Sequence, residues 1–299
     1  MDRLEAMSLL LSVVEAGSLS AASRKLGVPL PTVSRKISDL EAHLNTRLLT
    51  RSTRKLALTD SGAAYVAAAR RILDEVSEAE RAASGENAAP RGDLVITAPV
   101  VFGRLHVLPV IAEFLAQWPE IDVRLVLADR NLDLIDDHVD IAVRIGALAD
   151  SALVSTRVGA VRSVVCGSPG YFAAHGVPER PGDLSALAAV TFDPFSPSEH
   201  WIFRDPKSKR ELRAVVRSRL TVNTAEAAID GAAAGLGVTR VLSYQVAQAV
   251  ADGRIQIVLT EYETAPAPVS LLHRSQGLTP LKVRMALDFA APRLRARLA

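Results

Sequence analysis

Side chains between residues 32 and 38 have the types and the spacing to contact DNA. Small hydroxyls and an arginine near the N-terminal end of a helix can enter the major groove, hydrogen-bond base edges and reach phosphates. A helix from Pro31 would bury the apolar stripe formed by Val33, Ile37, Leu40 and Leu44. Its opposite face would expose Thr32, Ser34, Arg35, Lys36 and Ser38. The pattern predicts a DNA-reading helix; the alternative is a three-helix scaffold whose basic residues only solvate its surface.

A second basic group follows this helix and alternates with leucines. The basic residues Arg47, Arg51, Arg54 and Lys55 are interspersed with Leu48, Leu49, Leu56 and Leu58. This alternation is typical of a small hairpin, or wing, whose basic edge lies beside the phosphate backbone. We expect the DNA-binding residues to be those of these two groups together with Ser18 at the start of the preceding helix: Ser18, Pro31, Thr32, Ser34, Arg35, Lys36, Arg51, Arg54 and Lys55.

Two shorter helices must hold the DNA-reading helix in place. Asp2 to Ala16 has apolar residues at intervals of three and four, as an amphipathic helix does. Gly17 ends this helix, and Ser18 can cap a second one, Leu19 to Leu26, through its hydroxyl. The turn at Gly27 before the third helix completes the outline of a helix-turn-helix.

The net charge of +2 is unevenly distributed along the chain. Residues 1–58 carry nine Lys and Arg against five Asp and Glu, a balance of +4. Residues 59–92 carry four bases and six acids, and residues 93–299 carry 22 of each. A compact basic module joined to a neutral body predicts a polyanion partner for the first part only.

The composition of the 299-residue chain argues against several classes of protein. Hydrophobic residues make up 49% and charged residues 23%, which is typical of globular rather than disordered proteins. No run of about 18 uncharged apolar residues occurs, so we expect no membrane partner. The start Met-Asp-Arg-Leu-Glu does not resemble a secretory signal, and the single cysteine, Cys166, excludes an internal disulfide. We therefore expect a cytoplasmic protein.

A long helix is predicted beyond the basic module. Thr59 to Gly62 has the composition of a helix start, and about 25 residues then follow without proline or glycine. Its narrow apolar seam comprises Ala63, Val66, Ala67, Ile72 or Leu73, Val76, Ala79 and Ala83. Such a seam most often pairs with a copy of itself, although it could pack against the chain's own body. Residues 85–92 have the composition of a linker.

From Leu94 onward, apolar strands alternate with helices. Strands are predicted at Leu94–Ala98, Ile121–Leu127, Ile141–Ile145, Val161–Cys166, Val190–Phe192, Val215–Val222, Val238–Val241, Ile255–Leu259 and Val269–Leu272. Helices are predicted at Leu105–Gln117, Leu132–Asp136 and Leu278–Leu298. This order implies a mostly parallel sheet with helices on both faces. The α/β body is large enough to form two lobes.

Several motifs resemble those of LysR-type transcriptional regulators. Residues 17–26 (Gly-Ser-Leu-Ser-Ala-Ala-Ser-Arg-Lys-Leu) and 32–41 (Thr-Val-Ser-Arg-Lys-Ile-Ser-Asp-Leu-Glu) are similar to the helix-turn-helix of that family, and residues 48–59 resemble its wing. In the body, the similar segments are 140–146 (Asp-Ile-Ala-Val-Arg-Ile-Gly), 166–171 (Cys-Gly-Ser-Pro-Gly-Tyr) and 235–238 (Gly-Leu-Gly-Val). The resemblance covers almost the whole chain, with the motifs in the family's order.

The resemblance implies an N-terminal all-α winged helix-turn-helix and a C-terminal α/β bilobed effector domain, similar to periplasmic binding proteins. The implied domains are a DNA-binding domain at 1–58, a dimerising linker helix and hinge at 59–92, and an effector-binding regulatory domain at 93–299. Lobe one would comprise 93–162 and 268–299, and lobe two 163–267. The implied partners are a promoter operator in double-stranded DNA, a small effector such as an organic acid, RNA polymerase, and further copies of the chain in a homodimer or homotetramer.

The sequence departs from the family pattern at three positions. Pro29 stands where the family often has a Ser or Thr that caps the recognition helix, so we expect that cap to be absent. Asn45 replaces a common glycine, which is a mild change. Pro99 lies in a loop where some members use a hydroxyl to hold a carboxylate. This argues against a simple carboxylate contact there, although Thr97 is close.

The candidate effector site is the cleft between the two implied lobes. The loop Pro99–Gly103 leads into a helix, so its amides could hold an anion, or it is only a strand-to-helix turn. Arg144 could meet an anionic ligand or tie the lobes together. Apolar walls are predicted from Phe102, Phe192 and Trp201. The predicted effector-binding residues are Thr97, Pro99, Val100, Val101, Phe102, Arg144, Phe192, Trp201, Asn223 and Thr224.

No motif in the chain predicts catalysis. The six histidines show no paired metal spacing, and neither a Gly-x-Ser-x-Gly elbow nor a Gly-x-Gly-x-x-Gly loop occurs. We expect no enzyme activity, no cofactor and no metal. The predicted function is sequence-specific transcriptional regulation in response to an effector bound between the lobes. The alternative is a small-solute-binding module whose basic N-terminal part serves assembly.

Overall fold

The computed structural model describes residues 2–51, 56–84, 90–130, 134, 137–148, 153–192, 200–274 and 279–298. For Arg51 and several residues between 74 and 84, the description covers the backbone only. The contacts divide the chain into two units, Met1–Gly92 (unit one) and Asp93–Ala299 (unit two). Each unit has its own core and is described by itself.

Unit one opens with three helices whose ends are set by local hydrogen bonds. They are α1 (Arg3–Ala16), α2 (Leu19–Leu26) and α3 (Leu30–His43). The Asp2 carboxylate accepts hydrogen bonds from backbone amides at the start of α1, and the Ser18 hydroxyl does the same for α2. Gly17 and Gly27 end these two helices with φ of 69° and 65°, which glycine adopts without strain. The helices lie where their apolar spacing predicts them, apart from single residues at their ends.

A hairpin and a long helix complete unit one. Strand β1 (Leu49–Arg51) pairs antiparallel with β2 (Leu56–Leu58), and α4 runs from Asp60 to Ser84. The core comprises Ala6, Leu9, Leu10, Val13, Ala22, Val33, Ile37, Leu40, Leu48, Leu49 and Val66. Because Val66 belongs to this core, the first turns of α4 pack on unit one itself. Further along the predicted seam, Ile72 is exposed.

The first lobe of unit two is a five-stranded sheet covered by helices. Its strands are β3 (Gly92–Ala98), β4 (Ile121–Leu127), β5 (Ile141–Ile145), β6 (Leu153–Val161) and, from the end of the chain, β14 (Ala267–Arg274). Its helices are α5 (Val100–Phe102), α6 (Leu108–Gln117) and α10 (Leu281–Leu298), with a π-helical segment at Gly103–Val107. The strand order is β4-β3-β5-β14-β6. One apolar core joins this sheet to α6 and α10.

The second lobe contains the remaining strands and helices. The strands are β7 (Ser163–Gly167), β8 (Ala188–Phe192), β9 (His200–Arg204), β10 (Glu211–Val215), β11 (Arg217–Val222), β12 (Thr239–Leu242) and β13 (Gln256–Val258). The helices are α7 (Pro169–His175), α8 (Ala225–Ala233) and α9 (Ser243–Ala251), with 3-10 turns at Pro181–Ala186 and Thr260–Tyr262. β7 lies between β12 and β13, β8 pairs with β11, and β9 pairs with β10. A parallel bridge between Ala189 and Val238 links β8 to the start of β12.

The expectation of a mostly parallel sheet is wrong. Only the β3–β5 and β8–β11 ladders are parallel among the strand pairs with a described register, and β14 runs antiparallel to both β5 and β6. Strand β14, which follows lobe two in the sequence, runs opposite to both of its neighbours in the sheet of lobe one.

Several predicted strand bounds are also corrected. The single strand predicted from 161 to 166 is two strands, β6 and β7, which meet at Arg162 where the chain passes from one lobe to the other. The single strand predicted from 215 to 222 is likewise two, because Val216 breaks β10 from β11. Strand β9 was not expected. Most of the predicted helix at 132–136 lies outside the described residues.

One helical stretch, Val100–Gln117, is long and apolar enough to cross a membrane by length and composition, with a mean hydropathy of 1.4. Several of its apolar side chains, including Phe102, Val110 and Phe114, are buried in the core of lobe one, whereas Leu105 and Leu108 are exposed. Core helices of globular domains have this composition.

Candidate nucleic-acid interface and effector cleft

The exposed face of α3 carries the predicted DNA-reading side chains. Val33, Ile37 and Leu40 are completely buried, so the residues between them must face outward. Pro31 and Arg35 are exposed, and Thr32 and Ser34 are half-buried. Arg35 therefore points outward opposite the buried stripe, with the half-buried hydroxyls of Thr32 and Ser34 on either side of it, and a major groove can accept such a helix.

The N-terminal end of α3 lacks a side-chain cap, as Pro29 predicts. Pro29 holds the cap position with φ −55° and ψ 135°, and no side chain accepts a hydrogen bond from the first amides of α3. The Pro29 carbonyl accepts from the amides of Thr32 and Val33 instead. The partial positive charge of a helix start attracts anions such as phosphate, although Pro31 has no N–H and the Thr32 and Val33 amides are already engaged here.

Two of the predicted DNA-binding residues have structural roles as well. The Ser18 hydroxyl is half-buried and accepts a hydrogen bond from the Ala21 amide at 3.1 Å, so it caps α2. Lys36 forms an ion pair with Glu5 of α1. This pair ties α3 to α1 and leaves Arg35 as the exposed cation of the two.

The wing is held against the helices by hydrogen bonds to a carboxylate of α3 and by a close approach to a glycine of α4. Glu41 of α3 accepts hydrogen bonds from the amides of Leu48 and Leu49 at 2.8 and 3.0 Å, which fixes the start of β1. Gly62 of α4 lies directly against the Leu48 carbonyl, where a Cβ atom would not fit. Arg51 lies at the end of β1, whereas Arg54 and Lys55 lie outside the described residues.

In unit two, several of the predicted effector residues lie at or just beyond the ends of two parallel strands. Thr97 of β3 pairs with Ala142 of β5, so Pro99 and Arg144 follow at the same edge of the sheet. Ligands of open α/β sheets bind outside the carboxyl ends of such strands. Thr97 itself is completely buried, and its hydroxyl donates to the Val126 carbonyl at 3.0 Å.

The loop after β3 is already occupied by a carboxylate of the protein. The Val100 amide, which was expected to be available to an anionic ligand, donates a hydrogen bond to the Asp129 carboxylate at 3.1 Å. The chain therefore supplies its own anion at the start of α5. Asp129 was missed by the sequence analysis, although its place just after β4 was a signal for it.

Val101 and Phe102 connect the two lobes through their cores. Phe102 is completely buried in the core of lobe one, and Val101 is buried in a core of lobe two together with Ala225. Tyr244 contacts both cores, and its ring lies edge-on to Phe102 with 5.3 Å between the centroids. Phe102 is thus a core residue rather than the exposed apolar wall that was expected.

Trp201 is also a core residue rather than a cleft wall. Side chains of β9 alternate between faces, and Trp201 and Phe203 point into lobe two, where Trp201 is 6% exposed. Phe192, by contrast, is half-buried at the end of β8 and packs against the same core as Val101. The burial of Trp201 is therefore a correction to its predicted role as an apolar wall, whereas the role of Phe192 stays a prediction.

The start of α8 faces the loop after β3. The Thr224 hydroxyl accepts a hydrogen bond from the Ala227 amide at 3.3 Å and caps α8, and Asn223 beside it is exposed. Arg104 of lobe one lies 3.9 Å from Glu226 in the first turn of α8. The two segments predicted to share the cleft are thus neighbours.

Arg144 and Cys166 are both buried, and burial shifts their pKa values in opposite directions because it disfavours the charged form of each group. Arg144 is 9% exposed, donates a hydrogen bond to the Val143 carbonyl at 3.3 Å, and has its pKa lowered by burial. Burial raises the pKa of the Cys166 thiol to about 12, so this cysteine is a neutral core residue. Among the described residues, no group of three or more His, Cys, Asp or Glu side chains could hold a metal ion.

An ion pair that the sequence analysis missed joins the two crossings between the lobes. Arg162, between β6 and β7, donates to both carboxylate oxygens of Glu263 at 3.0 Å, shortly before the chain returns through β14. The Arg162 carbonyl also accepts from the Ser243 amide at 2.8 Å. These contacts hold the connection between β6 and β7 against the segments at Ser243 and Glu263. A charge pair 101 residues apart in sequence leaves no local signal.

Together, a basic helix-turn-helix unit and a bilobed α/β body define a class of DNA-binding regulators that respond to small molecules. Residues 4–63 match the family model described as "Bacterial regulatory helix-turn-helix protein, lysR family". Residues 87–295 match the one described as "LysR substrate binding domain". The chain belongs to the LysR family of transcriptional regulators, which bind DNA and small-molecule effectors and oligomerise.

Similar proteins share this organisation over nearly their whole length. The HTH-type transcriptional activator AaeR of Escherichia coli strain K12 is 33% identical over 288 residues, covering 96% of this chain and 93% of its own. An HTH-type transcriptional repressor of Pseudomonas aeruginosa is 33% identical over 291 residues, covering 97% and 91%. The solved structure of CrgA, a LysR-type transcriptional regulator from Neisseria meningitidis, has 29% identity and a TM-score of 0.61, covering 97% and 98%.

Proposed function

We propose that α3 reads a promoter operator in double-stranded DNA through Thr32, Ser34 and Arg35, with Pro31 and the uncapped helix start close to phosphates. The wing residues Arg51, Arg54 and Lys55 hold the backbone, and Lys36 acts mainly through its ion pair with Glu5. The observation that supports this proposal is the outward face of α3, where the exposed Arg35 lies opposite a completely buried stripe and is flanked by the half-buried hydroxyls of Thr32 and Ser34.

The effector binds between the lobes, at the edge formed by Thr97, Pro99 and Arg144 and the segment Asn223–Thr224. Val100, Val101 and Phe192 line or support the same place. A small organic acid fits this edge best, because an anion stabilises the charged form of a buried guanidinium. Since Asp129 already accepts from the Val100 amide, the carboxylate of the effector approaches Arg144 rather than that loop.

The chain acts in the cytoplasm as a homodimer or homotetramer, with residues 1–58 binding DNA, 59–92 joining the copies and 93–299 binding the effector. Support for the joining role comes from α4, whose first turns pack on unit one while Ile72 is exposed further along. RNA polymerase is a further partner. The protein has no catalytic step: its output is a change in transcription. Of two relatives that are each 33% identical to this chain, one is named an activator and the other a repressor. A transcription assay must therefore decide whether this protein activates or represses its target genes.

The Arg35→Ala variant tests the reading of DNA. Genomic fragments bound by the full chain supply a specific duplex, and a shuffled duplex supplies the comparison. Arg35→Ala should weaken specific binding by roughly 1–3 kcal/mol more than non-specific binding, the range for a lost base contact. Arg24→Ala, which removes another exposed arginine outside α3, is the matched control and should weaken both duplexes equally. Equal losses for Arg35→Ala would reduce Arg35 to a phosphate contact.

A further inference from the structure

A short segment of lobe two carries a concentrated excess of positive charge, with seven of the 22 Lys and Arg residues of 93–299. Residues 204–219 contain seven bases, Arg204, Lys207, Lys209, Arg210, Arg213, Arg217 and Arg219, and only two acids, Asp205 and Glu211. The other residues of 93–299 contain 15 bases and 20 acids, since the whole range has 22 of each. A unit that is neutral overall is therefore strongly polarised, with a local balance of +5 in 16 residues.

These seven bases, which we call the basic ridge, lie at the surface, where Arg204 and Lys209 also donate hydrogen bonds to backbone carbonyls of the tip at 3.3 and 2.7 Å. All seven residues are exposed. Arg213 pairs with Glu211 at 2.9 Å, and no other ion pair to a member of the ridge is found among the described residues. The Asp205 carboxylate is engaged by the amides of Lys207 and Ser208. Most of the positive charge is thus available to an external anion.

The hairpin beneath the ridge is anchored and its tip is ordered. The inward faces of β9 and β10 bury Trp201, Phe203 and Ala214 in the core of lobe two. At the tip, the Asp205 amide donates to the Arg210 carbonyl at 2.9 Å, and the Lys209 amide donates to the Asp205 carbonyl at 3.0 Å. An ordered tip loses less conformational entropy on binding than a free loop would.

The ridge has dimensions that suit a regular polyanion. Five residues of an antiparallel strand span about 17 Å, so the charges extend over at least this length from the tip to the end of β10. Duplex DNA carries one phosphate charge per about 1.7 Å of its axis, so such a length of duplex presents roughly ten phosphates. Exposed arginines, lysines and serines are the side chains that contact phosphates most often.

We propose that the basic ridge binds the phosphate backbone of duplex DNA, outside the base pairs that α3 reads. The inference rests on the DNA binding proposed above, because a duplex held by one part of a chain is at high effective concentration for another part of the same assembly. An acidic protein surface, including a second copy of unit two, is the competing partner. It would use Ile202 and Val215, which are 40% and 55% exposed on the same hairpin.

The test compares two variants of the full chain in salt titrations of DNA affinity. The ridge variant K207Q/K209Q/R210Q removes three charges at the tip. The control R130Q/R254Q/R284Q removes three exposed arginines elsewhere in unit two. Three DNA probes are used. The trimmed duplex contains only the recognised base pairs, and the long specific duplex contains the same site with about three helical turns added on each side. The long random duplex has the length of the long specific duplex. The mass of each free protein is measured by light scattering.

The parent and the control should bind the long duplex more tightly than the trimmed one, and the ridge variant should lose that advantage. Its slope of log affinity against log salt should fall by up to about 2.7 on both long duplexes, at about 0.9 for each phosphate contact. Equal slopes and equal length dependence for all three proteins would overturn the proposal. A fall in mass for the ridge variant and for I202S/V215S, with unchanged slopes, would overturn it in favour of contact between copies. Because the random duplex needs no operator, this result is independent of whether specific recognition fails.

Discussion

Gly62→Ala is expected to destabilise unit one, although a glycine-to-alanine change within a helix is normally stabilising. Gly62 lies in the first turn of α4, where alanine would raise helix stability by about 1 kcal/mol if the position were open. The position is closed. A Cβ atom there would lie 2.9 Å from the carbonyl carbon of Leu48 and closer still to its oxygen. Cβ atoms in proteins essentially never lie within 3.0 Å of such a neighbouring atom.

The obstructing carbonyl cannot move away at low cost. Its oxygen accepts a hydrogen bond from the Thr59 amide at 3.0 Å, and the Leu48 amide is held by Glu41 at 2.8 Å. Overpacking against a fixed neighbour costs about 1–3 kcal/mol, and this site lies at the upper end because the neighbour is backbone. After the gain in helix propensity, we expect a net loss of about 2 kcal/mol, equivalent to a fall in Tm of roughly 8–16 °C for a domain of this size.

The loss should be measured in the full chain by urea unfolding and by hydrogen exchange of the α1 and α3 amides. Ala64→Gly is the matched control: it makes the reverse change at an exposed position two residues further along α4, and should cost about 1 kcal/mol. Because Leu48 begins the wing, Gly62→Ala should also weaken DNA binding more than Ala64→Gly does. A Gly62→Ala protein as stable as the parent, or more so, would refute the argument that Gly62 sets the approach of α4 to the wing.

Three further predictions concern unit two. The Cys166 thiol is completely buried and has a pKa of about 12. It should therefore react with iodoacetamide far more slowly in the folded chain than in the chain unfolded by urea. Equal reaction rates at pH about 8 would contradict its burial. Burial, and secondly the charge of Arg297, lowers the pKa of His106 in the folded chain. The neutral imidazole is therefore compatible with folding at pH values above the pKa of the unfolded chain, about 6.5. As the pH falls below that pKa, the unfolded chain binds a proton more readily than the folded chain does, and stability is lost. The free energy of unfolding should decline on acidification and decline less in His106→Gln, whereas parallel pH curves would exclude this histidine as the cause. Gly237 has φ +152°, and a Cβ atom there would lie 2.7 Å from the Ala188 carbonyl carbon, whereas a Cβ atom at Gly170 would have no atom within 4 Å. Gly237→Ala should therefore unfold lobe two at a lower urea concentration than Gly170→Ala does. Equal unfolding midpoints for the two variants would show that β12 can move away from β8.

The sequence predicts the elements whose signals are local. The three helices of the helix-turn-helix have apolar residues at helical spacing together with capping residues and glycines, so their bounds follow almost residue by residue. The missing cap of α3 follows from Pro29 alone. The family resemblance then supplies the order of the domains, because its motifs cover both units.

Features that depend on long-range contacts do not follow from the sequence. The direction of β14 depends on where the chain re-enters lobe one, and the inward orientation of Trp201 depends on its pairing with Ala214 in a hairpin that was not expected. The hydrogen bond from Val100 to Asp129 joins residues 29 apart, and it changes which group an effector can use. Side-chain hydrogen bonds of this kind are tertiary events without a periodic signal.

The claim that α3 recognises a defined DNA sequence is tested most directly by capture of genomic DNA with the full chain. Purified protein is mixed with fragmented genomic DNA at two salt concentrations, and the bound fragments are sequenced. We expect discrete peaks that persist at the higher salt, share a motif and are lost in Arg35→Ala, because base contacts depend less on salt than phosphate contacts do. Uniform capture that disappears at the higher salt would contradict sequence-specific recognition and leave only the electrostatic attraction of the basic unit.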